Sequence, residues 1–251
     1  MAVHSNEAML KVIKLAFEVR YDEGYRYLDH CGETLVRIRR HSKSWVVNSV
    51  NPQLGALNNY VEKLTLTIGN EGFTLQTDEE FDTSKAEKKS EAFGLEAEKL
   101  AGIILDTIGV PDTRRVGFRC MFLAPADSLE DANRFMCNVS GSPLLDHLTG
   151  STNSELRIAD LTYVTEEPES GIRRRIQLMS VTRLQAGTPL PTGLSSDEGS
   201  GGVVADVDTF TRPESGHFTR TNMFIQGSYL KAKKIARQLF EWMRENQQRR
   251  G

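Results

Sequence analysis

Two aspartates in the last quarter of the chain are spaced so that their carboxylates could bind a cation or take part in catalysis. Asp206 and Asp208 flank a valine in a segment of alternating apolar residues, so both side chains project from one face of a predicted strand. Such a pair can hold a divalent cation or share a proton in acid–base catalysis. No third acid, histidine or asparagine completes a metal site at a suitable spacing, so we predict no metal. The alternative is a solvated outer strand face, with Val203, Ala205 and Val207 toward the core.

A run of three arginines, Arg173–Arg175, is the most informative basic feature. On a strand, Arg173 and Arg175 share one face and Arg174 takes the other. Cross-strand ion pairs are the simple interpretation, since three acids lie across a predicted turn: Glu166, Glu167 and Glu169. The alternative is a surface for a phosphate group or an acidic partner. Stacking aromatic residues near the run are absent, which disfavours a site for single-stranded nucleic acid.

Recognisable catalytic motifs are absent from the sequence. None of the five histidines stands in an HExxH or His–Cys ligand spacing, and there is no GxSxG segment. The glycine-rich stretch 199–202 precedes a predicted strand, whereas a phosphate-binding loop leads into a helix N-terminus. We therefore predict no catalytic residues and no cofactor.

Composition narrows the class of protein further. The chain has 251 residues, 39% of them hydrophobic, which is enough for a substantial core without disulfides. Its formal net charge of -3 shows no overall excess of basic residues, so nucleic-acid binding is open but not favoured. No apolar run approaches the roughly 20 residues that span a bilayer. Three cysteines without a CxxC pair and no targeting signal at the N-terminus predict a cytoplasmic protein without membrane contact.

Hydrophobic periodicity predicts an α+β fold made of two similar β-α-β-β-β-α halves, 1–110 and 111–251. Period-two alternation marks strands, and three- and four-residue spacing marks helices. We expect an antiparallel curved sheet covered by long helices, with a flexible insert near residues 185–202. The predicted strands are 15–21, 45–50, 64–68, 73–75, 116–122, 156–165, 172–184 and 203–210; the predicted helices are 28–41, 83–108, one from 129, a short one at 143–148 and one at the C-terminus.

The C-terminal helix predicts a contact surface. Its apolar stripe is spaced by four and three residues, which suits packing on the sheet: Ile225, Tyr229, Ala232, Ala236, Leu239 and Met243. Phe240 and Trp242 lie off this stripe and widen the apolar surface. Because aromatic residues are common at interfaces, we predict contact with a protein partner or a homo-oligomer through Tyr229, Phe240, Trp242 and Met243.

Four segments carry a resemblance to a known family: residues 15–20, 115–119, 204–210 and the closing helix. Through them the chain resembles a sporadically distributed family of bacterial and archaeal proteins of about this length. The resemblance implies a prokaryotic source and a patchy distribution typical of accessory or antiviral systems, and it brings no catalytic residues. The expected architecture of each half is similar to the saddle-forming repeats of the TATA-binding protein, which says nothing about function.

These observations favour a non-catalytic binding or assembly protein, such as a sensor, adaptor or antitoxin-like subunit of such a system. One alternative is an enzyme or phosphate binder that depends on a metal or phosphate ligand and is centred on Asp206, Asp208 and the Arg173–Arg175 strand. Another is a protein that binds nucleic acid on its sheet.

Overall fold

The computed structural model describes residues 10–22, 24–51, 53–110, 112–126, 128–140, 160–182, 201–211 and 220–248. Four helices and a large antiparallel sheet confirm the α+β class. The elements are β1 (Lys11–Tyr21), α1 (Arg26–His41), β2 (Trp45–Val50), β3 (Leu54–Asn59), β4 (Leu64–Gly69), β5 (Gly72–Thr77), β6 (Phe81–Asp82), α2 (Thr83–Ile108), β7 (Thr113–Pro125), α3 (Leu129–Ser140), β8 (Asp160–Glu166), β9 (Arg173–Thr182), β10 (Gly201–Thr211) and α4 (Thr221–Gln248).

The ten strands found in the described part of the chain belong to one sheet in which neighbouring strands run antiparallel. The order is β2-β3-β4-β5-β1-β7-β10-β9-β8, and the short β6 also pairs with β1. The central pair is β1 and β7, which are hydrogen-bonded to each other although residues 22–112 separate them in the chain. Strands that follow α1 extend the sheet on one side, and strands that follow α3 extend it on the other.

The core lies between the helices and one face of this sheet. Inward residues of β1 and β7 are buried, with Phe17 and Phe118 directly opposite each other in the register. The long helices α2 and α4 pack against them. The rings of Phe93 and Phe118 lie 6.2 Å apart, and those of Phe122 and Tyr229 lie 6.4 Å apart. All four helices contribute to the same apolar cluster, so they cover one face of the sheet.

Helix α2 ends where the sequence predicts. Gly109 follows its last residue in the left-handed conformation (φ 66°), and its N–H donates to the carbonyl of Leu105. A glycine adopts this conformation at little cost, which makes it a common helix terminator. No helix in the described part of the chain is long and apolar enough to cross a membrane.

The first part of the sheet differs from the prediction by one full strand. We expected three strands between α1 and α2, and the structure adds β3, together with the two-residue β6. Strand β3 escaped detection because Gly55, Asn58 and Asn59 have low strand propensity. Its pairing with β2 and β4 specifies it instead, and the close approach of the Tyr27 hydroxyl, 2.7 Å from an added Cβ, requires the glycine at position 55.

Several predicted segments fall partly or wholly outside the described residues. The short helix at 143–148 lies there completely, as do residues 156–159 and 183–184 of two predicted strands. The proposed insert near 185–202 is outside as far as residue 200. Its last two residues, Gly201 and Gly202, belong to β10.

Gly72 provides a test of how tightly β5 approaches the central strand. It has φ 154°, and an added Cβ would lie 2.1 Å from the Val19 carbonyl oxygen. We expect Gly72→Ala to lower the free energy of unfolding by on the order of 3 kcal/mol, because it combines backbone strain with a clash. Urea denaturation measures this loss.

Gly102 is the matched control, since it lies inside α2 with no atom near an added Cβ. We expect Gly102→Ala to raise the free energy of unfolding by about 0.5–1 kcal/mol, because alanine has the higher helix propensity. Equal effects of the two substitutions would contradict the close approach at Gly72.

Candidate functional site

Charged side chains cover one part of the sheet face that points away from the helices, next to a small buried apolar cluster on the same face made by Met121, Leu123, Met179, Val181 and Val204. Because side chains alternate along a strand, burial of Leu15, Phe17 and Val19 in the core places Lys14, Glu18 and Arg20 on the opposite face. The same alternation holds in β7, where the buried residues Val116, Phe118 and Cys120 leave Arg115 and Arg119 on that outer face.

The strand register brings these residues together with two from the C-terminal part. Ala16 of β1 lies opposite Arg119 of β7, and Arg119 lies opposite Asp208 of β10. Asp208 in turn lies opposite Arg175 of β9. One row across four strands therefore contains two arginines with an aspartate between them.

A pocket of about 440 Å³ opens on this face. Small residues, Ala16 and Gly117, lie among long charged side chains, and this difference in size produces the depression. The pocket is lined by Lys14, Ala16, Glu18, Arg20, Thr74, Gln76, Arg115, Gly117, Arg119, Arg175 and Asp208. Five of these side chains are basic and two are acidic.

Arg119 is anchored from below by Asp206. The aspartate is only 1% exposed, and Arg119 Nε donates to both of its carboxylate oxygens at 2.8 and 2.9 Å, with a further contact from Nη2. A bidentate arginine–carboxylate pair fixes the guanidinium in one orientation. Asp206 is therefore part of the pocket's support and not a free metal ligand.

A second charged group occupies the other end of the pocket. Arg115 Nη2 donates to Asp208 Oδ2 at 2.8 Å, while its Nη1 contacts Glu18. Arg20 Nε donates to the other oxygen of Glu18, also at 2.8 Å. Two cations and two anions therefore balance here. Burial raises the pKa of the Asp208 carboxyl, although Arg115 opposes this shift.

Two cations of the pocket have no such partner. Lys14 and Arg175 are half-buried, and neither makes an ion pair with any residue in the described ranges. Desolvation, and secondly the charge of Arg119, lower the pKa of the Lys14 ammonium, with a smaller opposing effect of Asp78 and Asp206. The positive charge of the pocket is thus concentrated around Arg119.

The arginine run Arg173–Arg175 separates into three environments. Arg173 Nε pairs with Glu166 at 3.0 Å on the exposed sheet edge, outside the pocket lining. Arg174 points into the core side, where its Nη2 lies 2.8 Å from Glu167. These are the cross-strand ion pairs that the sequence predicts. Arg175, of the three, is the one that lines the pocket.

The residues predicted for an interface are also separated by the fold. Tyr229 is fully buried against Phe122, so no partner can contact it on this fold. Phe240 is partly buried against the core, whereas Trp242 is 43% exposed. The side chain of Met243 lies outside the described residues. A contact surface on α4 therefore depends mainly on Trp242.

Sequence reasoning did not select five of the charged pocket residues: Lys14, Glu18, Arg20, Arg115 and Arg119. In the sequence these residues appear only as the charged positions of two strands with alternating apolar and charged residues. That pattern by itself is typical of any solvated strand face. Among the residues described, no cluster of three His, Cys, Asp or Glu side chains could hold a metal ion.

Comparison with known proteins adds no relative, since neither the protein-family models nor the curated proteins include a match to this chain.

Glu167 offers a pH-dependent test of how β9 is held. Lys231 of α4 donates to it at 2.6 Å and Ser170 at 2.8 Å, and together with Arg174 they lower its pKa to about 2. A lowered carboxyl pKa contributes stability above the ordinary value, and this contribution is lost as the pH falls toward the folded-state pKa. Glu167→Gln should therefore cost about 1 kcal/mol at pH 7, a figure reduced by solvent screening.

The loss should shrink between pH 4.5 and about 2, as measured by urea denaturation across that range. Glu169→Gln in the same turn is the control and should leave stability unchanged at every pH. A cost for Glu167→Gln that persisted at pH 2 would show that the contribution is not electrostatic.

Proposed function

We propose that this protein is a non-catalytic binding protein and that its outer sheet face binds an anionic ligand carrying a phosphate group. The observation that carries the proposal is the position of Lys14 and Arg175 beside the anchored Arg119. Unpaired, half-buried cations are costly to maintain without a counter-charge. A bound anion would supply that charge and regain the electrostatic energy lost by desolvation.

Binding is favoured over catalysis because the acids of the pocket are already engaged. Asp206 is held by Arg119, and Asp208 by Arg115, so neither carboxylate is positioned as a free general base. The nearest thiol, Cys120, lies on the core face of β7, where burial raises its pKa well above its usual value. A protonated, buried thiol is a poor nucleophile.

A compact anion is favoured over a nucleic-acid strand for an electrostatic reason. Glu18 and Asp208 stand within the row of cations along the central strands. A continuous phosphate backbone crossing this face would meet these carboxylates and be repelled, whereas proteins that bind single strands present an uninterrupted basic groove with stacking aromatics.

The pocket is built from both parts of the chain, and we propose that these parts arose by duplication. Each begins with a central strand followed by a helix, β1-α1 and β7-α3, and each ends in a long helix, α2 or α4. The pocket lies across the junction, with β1 and β5 on one side and β7, β9 and β10 on the other. A ligand there would contact strands of both parts at once.

A second candidate function, assembly with a protein partner, is favoured by the exposed apolar residues of α4. Met223, Leu230 and Trp242 are 67%, 54% and 43% exposed. Met223 and Leu230, seven residues apart, share one face of this helix, and adjoining exposed apolar residues favour a contact surface; Trp242 lies on a neighbouring face nearer the C-terminal end. Such an assembly role would suit an adaptor or antitoxin-like subunit of a prokaryotic accessory or antiviral system, and it is compatible with ligand binding on the opposite sheet face.

Inorganic phosphate should stabilise the protein through Lys14 and Arg175. At a concentration ten times its dissociation constant we expect the Tm to rise by about 3–5 °C, because a ligand of the native state stabilises by mass action. The double variant Lys14→Gln, Arg175→Gln should lose this rise in a thermal melt at constant ionic strength.

The control is Arg40→Gln, Lys43→Gln at the end of α1, where both residues are exposed and far from the pocket lining. General salt effects act equally on both double variants and so cancel in the comparison. An equal Tm rise in all three proteins would contradict the proposed site.

For the assembly function, Trp242→Asp should remove a partner or a second copy from the native mass spectrum of gently recovered protein. The introduced charge would have to be desolvated in the contact. Gln238→Asp, exposed on the same helix, is the control. Unchanged masses with Trp242→Asp would rule out this surface.

A further inference from the structure

The charge of the pocket is divided unequally between its two ends. The end of the pocket that holds Arg119 contains three cations, Lys14, Arg119 and Arg175, with the buried Asp206 paired to Arg119; Asp208, whose carboxylate pairs with Arg115, lies between Arg119 and Arg175 in the strand register and marks the boundary of this end. Around Gly117 lie Arg20 and Arg115 with the acids Glu18 and Asp208. The first end, which we term the cationic end, has an excess of two positive charges. The second, the balanced end, has none.

The charge excess at the cationic end matches one phosphate group. A phosphomonoester carries about −1.5 to −2 charges at neutral pH, which neutralises this end without overcharging it. A diphosphate or triphosphate would have to place its further charge against Glu18 and Asp208 at the balanced end. The geometry therefore fits a ligand with a single terminal phosphate.

The rest of the pocket has room for more than a phosphate. Its volume of about 440 Å³ is within the range of pockets that hold small organic ligands. The four residue-to-residue steps from Ala16 to Arg20 extend about 13 Å along β1 at the usual rise of a strand. A compact molecule attached to the phosphate would therefore reach the balanced end.

The chemistry of the balanced end selects what that molecule must be. It offers carboxylate acceptors and guanidinium donors, with Thr74 and Gln76 beside them on β5. Hydroxyl groups both donate and accept, so a hydroxyl-rich group can satisfy both kinds of partner. None of the described residues that line the pocket is aromatic, and the ring of Phe210 beside the balanced end is already covered by the Arg115 guanidinium, 4.7 Å from its centroid, which leaves a nucleobase less stacking surface.

We propose that the ligand is a phosphomonoester of a sugar or similar polyol, bound with its phosphate at the cationic end and its hydroxyl groups at the balanced end. This inference rests on the proposed anion-binding function and specifies its ligand class. Arg175 and Lys14 then determine the affinity for phosphate, while Asp208 and Glu18 determine the preference for a hydroxyl-bearing ester over phosphate alone.

Isothermal titration calorimetry on the full chain tests this ligand class with four related probes: ribose 5-phosphate, ribose, inorganic phosphate and adenosine monophosphate. We expect ribose 5-phosphate to bind at least about tenfold more tightly than inorganic phosphate, because hydrogen bonds to charged groups each contribute on that order. Ribose alone should show no binding. The nucleotide should bind no more tightly than ribose 5-phosphate.

Two variants assign the ends of the pocket. Arg175→Gln should weaken binding of inorganic phosphate and ribose 5-phosphate by similar factors. Asp208→Asn should retain phosphate binding but reduce the preference for ribose 5-phosphate to about threefold or less, since the asparagine loses the charged acceptor. Glu18→Gln repeats this test should the first variant melt at a lower temperature, and Arg40→Gln should match the wild type throughout.

The outcomes separate the two proposals. Binding of inorganic phosphate that Arg175→Gln abolishes, without any preference for ribose 5-phosphate, would overturn the ligand class and leave the anion site standing. No binding of any phosphate probe would overturn both. Tighter binding of adenosine monophosphate than of ribose 5-phosphate would show recognition of the base and also overturn the class, as would tight binding of a ten-residue oligothymidylate.

Discussion

The antiparallel pairing of β1 with β7 is the constraint on which the rest of this structure depends. Both strands are central, and one face of each is buried under α2 and α4. The residues of a strand alternate between its two faces. Because Phe17 and Phe118 are buried in the core, the charged residues next to them in each strand lie on the opposite face of the sheet. The register then decides which charges meet. A shift of one residue would have turned the apolar residues outward and destroyed both the core and the pocket.

The charges assembled in this way differ in what they contribute. The pair of Arg119 and Asp206 is fixed by a fully buried carboxylate and orients the centre of the pocket. Around Arg115 the positive charges are neutralised by Glu18 and Asp208, which would limit the attraction for large polyanions. Lys14 and Arg175 add charge without a partner among the residues described. In the binding mode that we propose, support, selectivity and affinity rest on different side chains, although all of them lie within one patch of sheet.

The fold was predictable to the extent that it depends on local periodicity. Strongly alternating segments such as β7 and the spaced stripe of α4 were identified correctly, and Gly109 ends α2 as expected. Strand β3 was missed because its glycine and two asparagines oppose strand formation locally, and cross-strand pairing with β2 and β4 overrides them. Tyr229 belonged to the same stripe as the core residues, and the structure assigns it to the core.

For the candidate site, too, features set within one strand could be predicted from the sequence, whereas contacts between distant strands could not. The sequence alone established that Asp206 and Asp208 share one face of their strand, that Arg173 and Arg175 share one face of theirs, and that Arg174 points the opposite way; the register then places both pairs on the same face of the sheet. It could not show that Asp206 pairs with Arg119, or that Lys14 and Arg175 line the same pocket, because these residues are far apart in the chain. Alternation is set by each residue's own backbone and can be read locally. Strand order and register come from the packing of the whole sheet, and only the tertiary structure decides them.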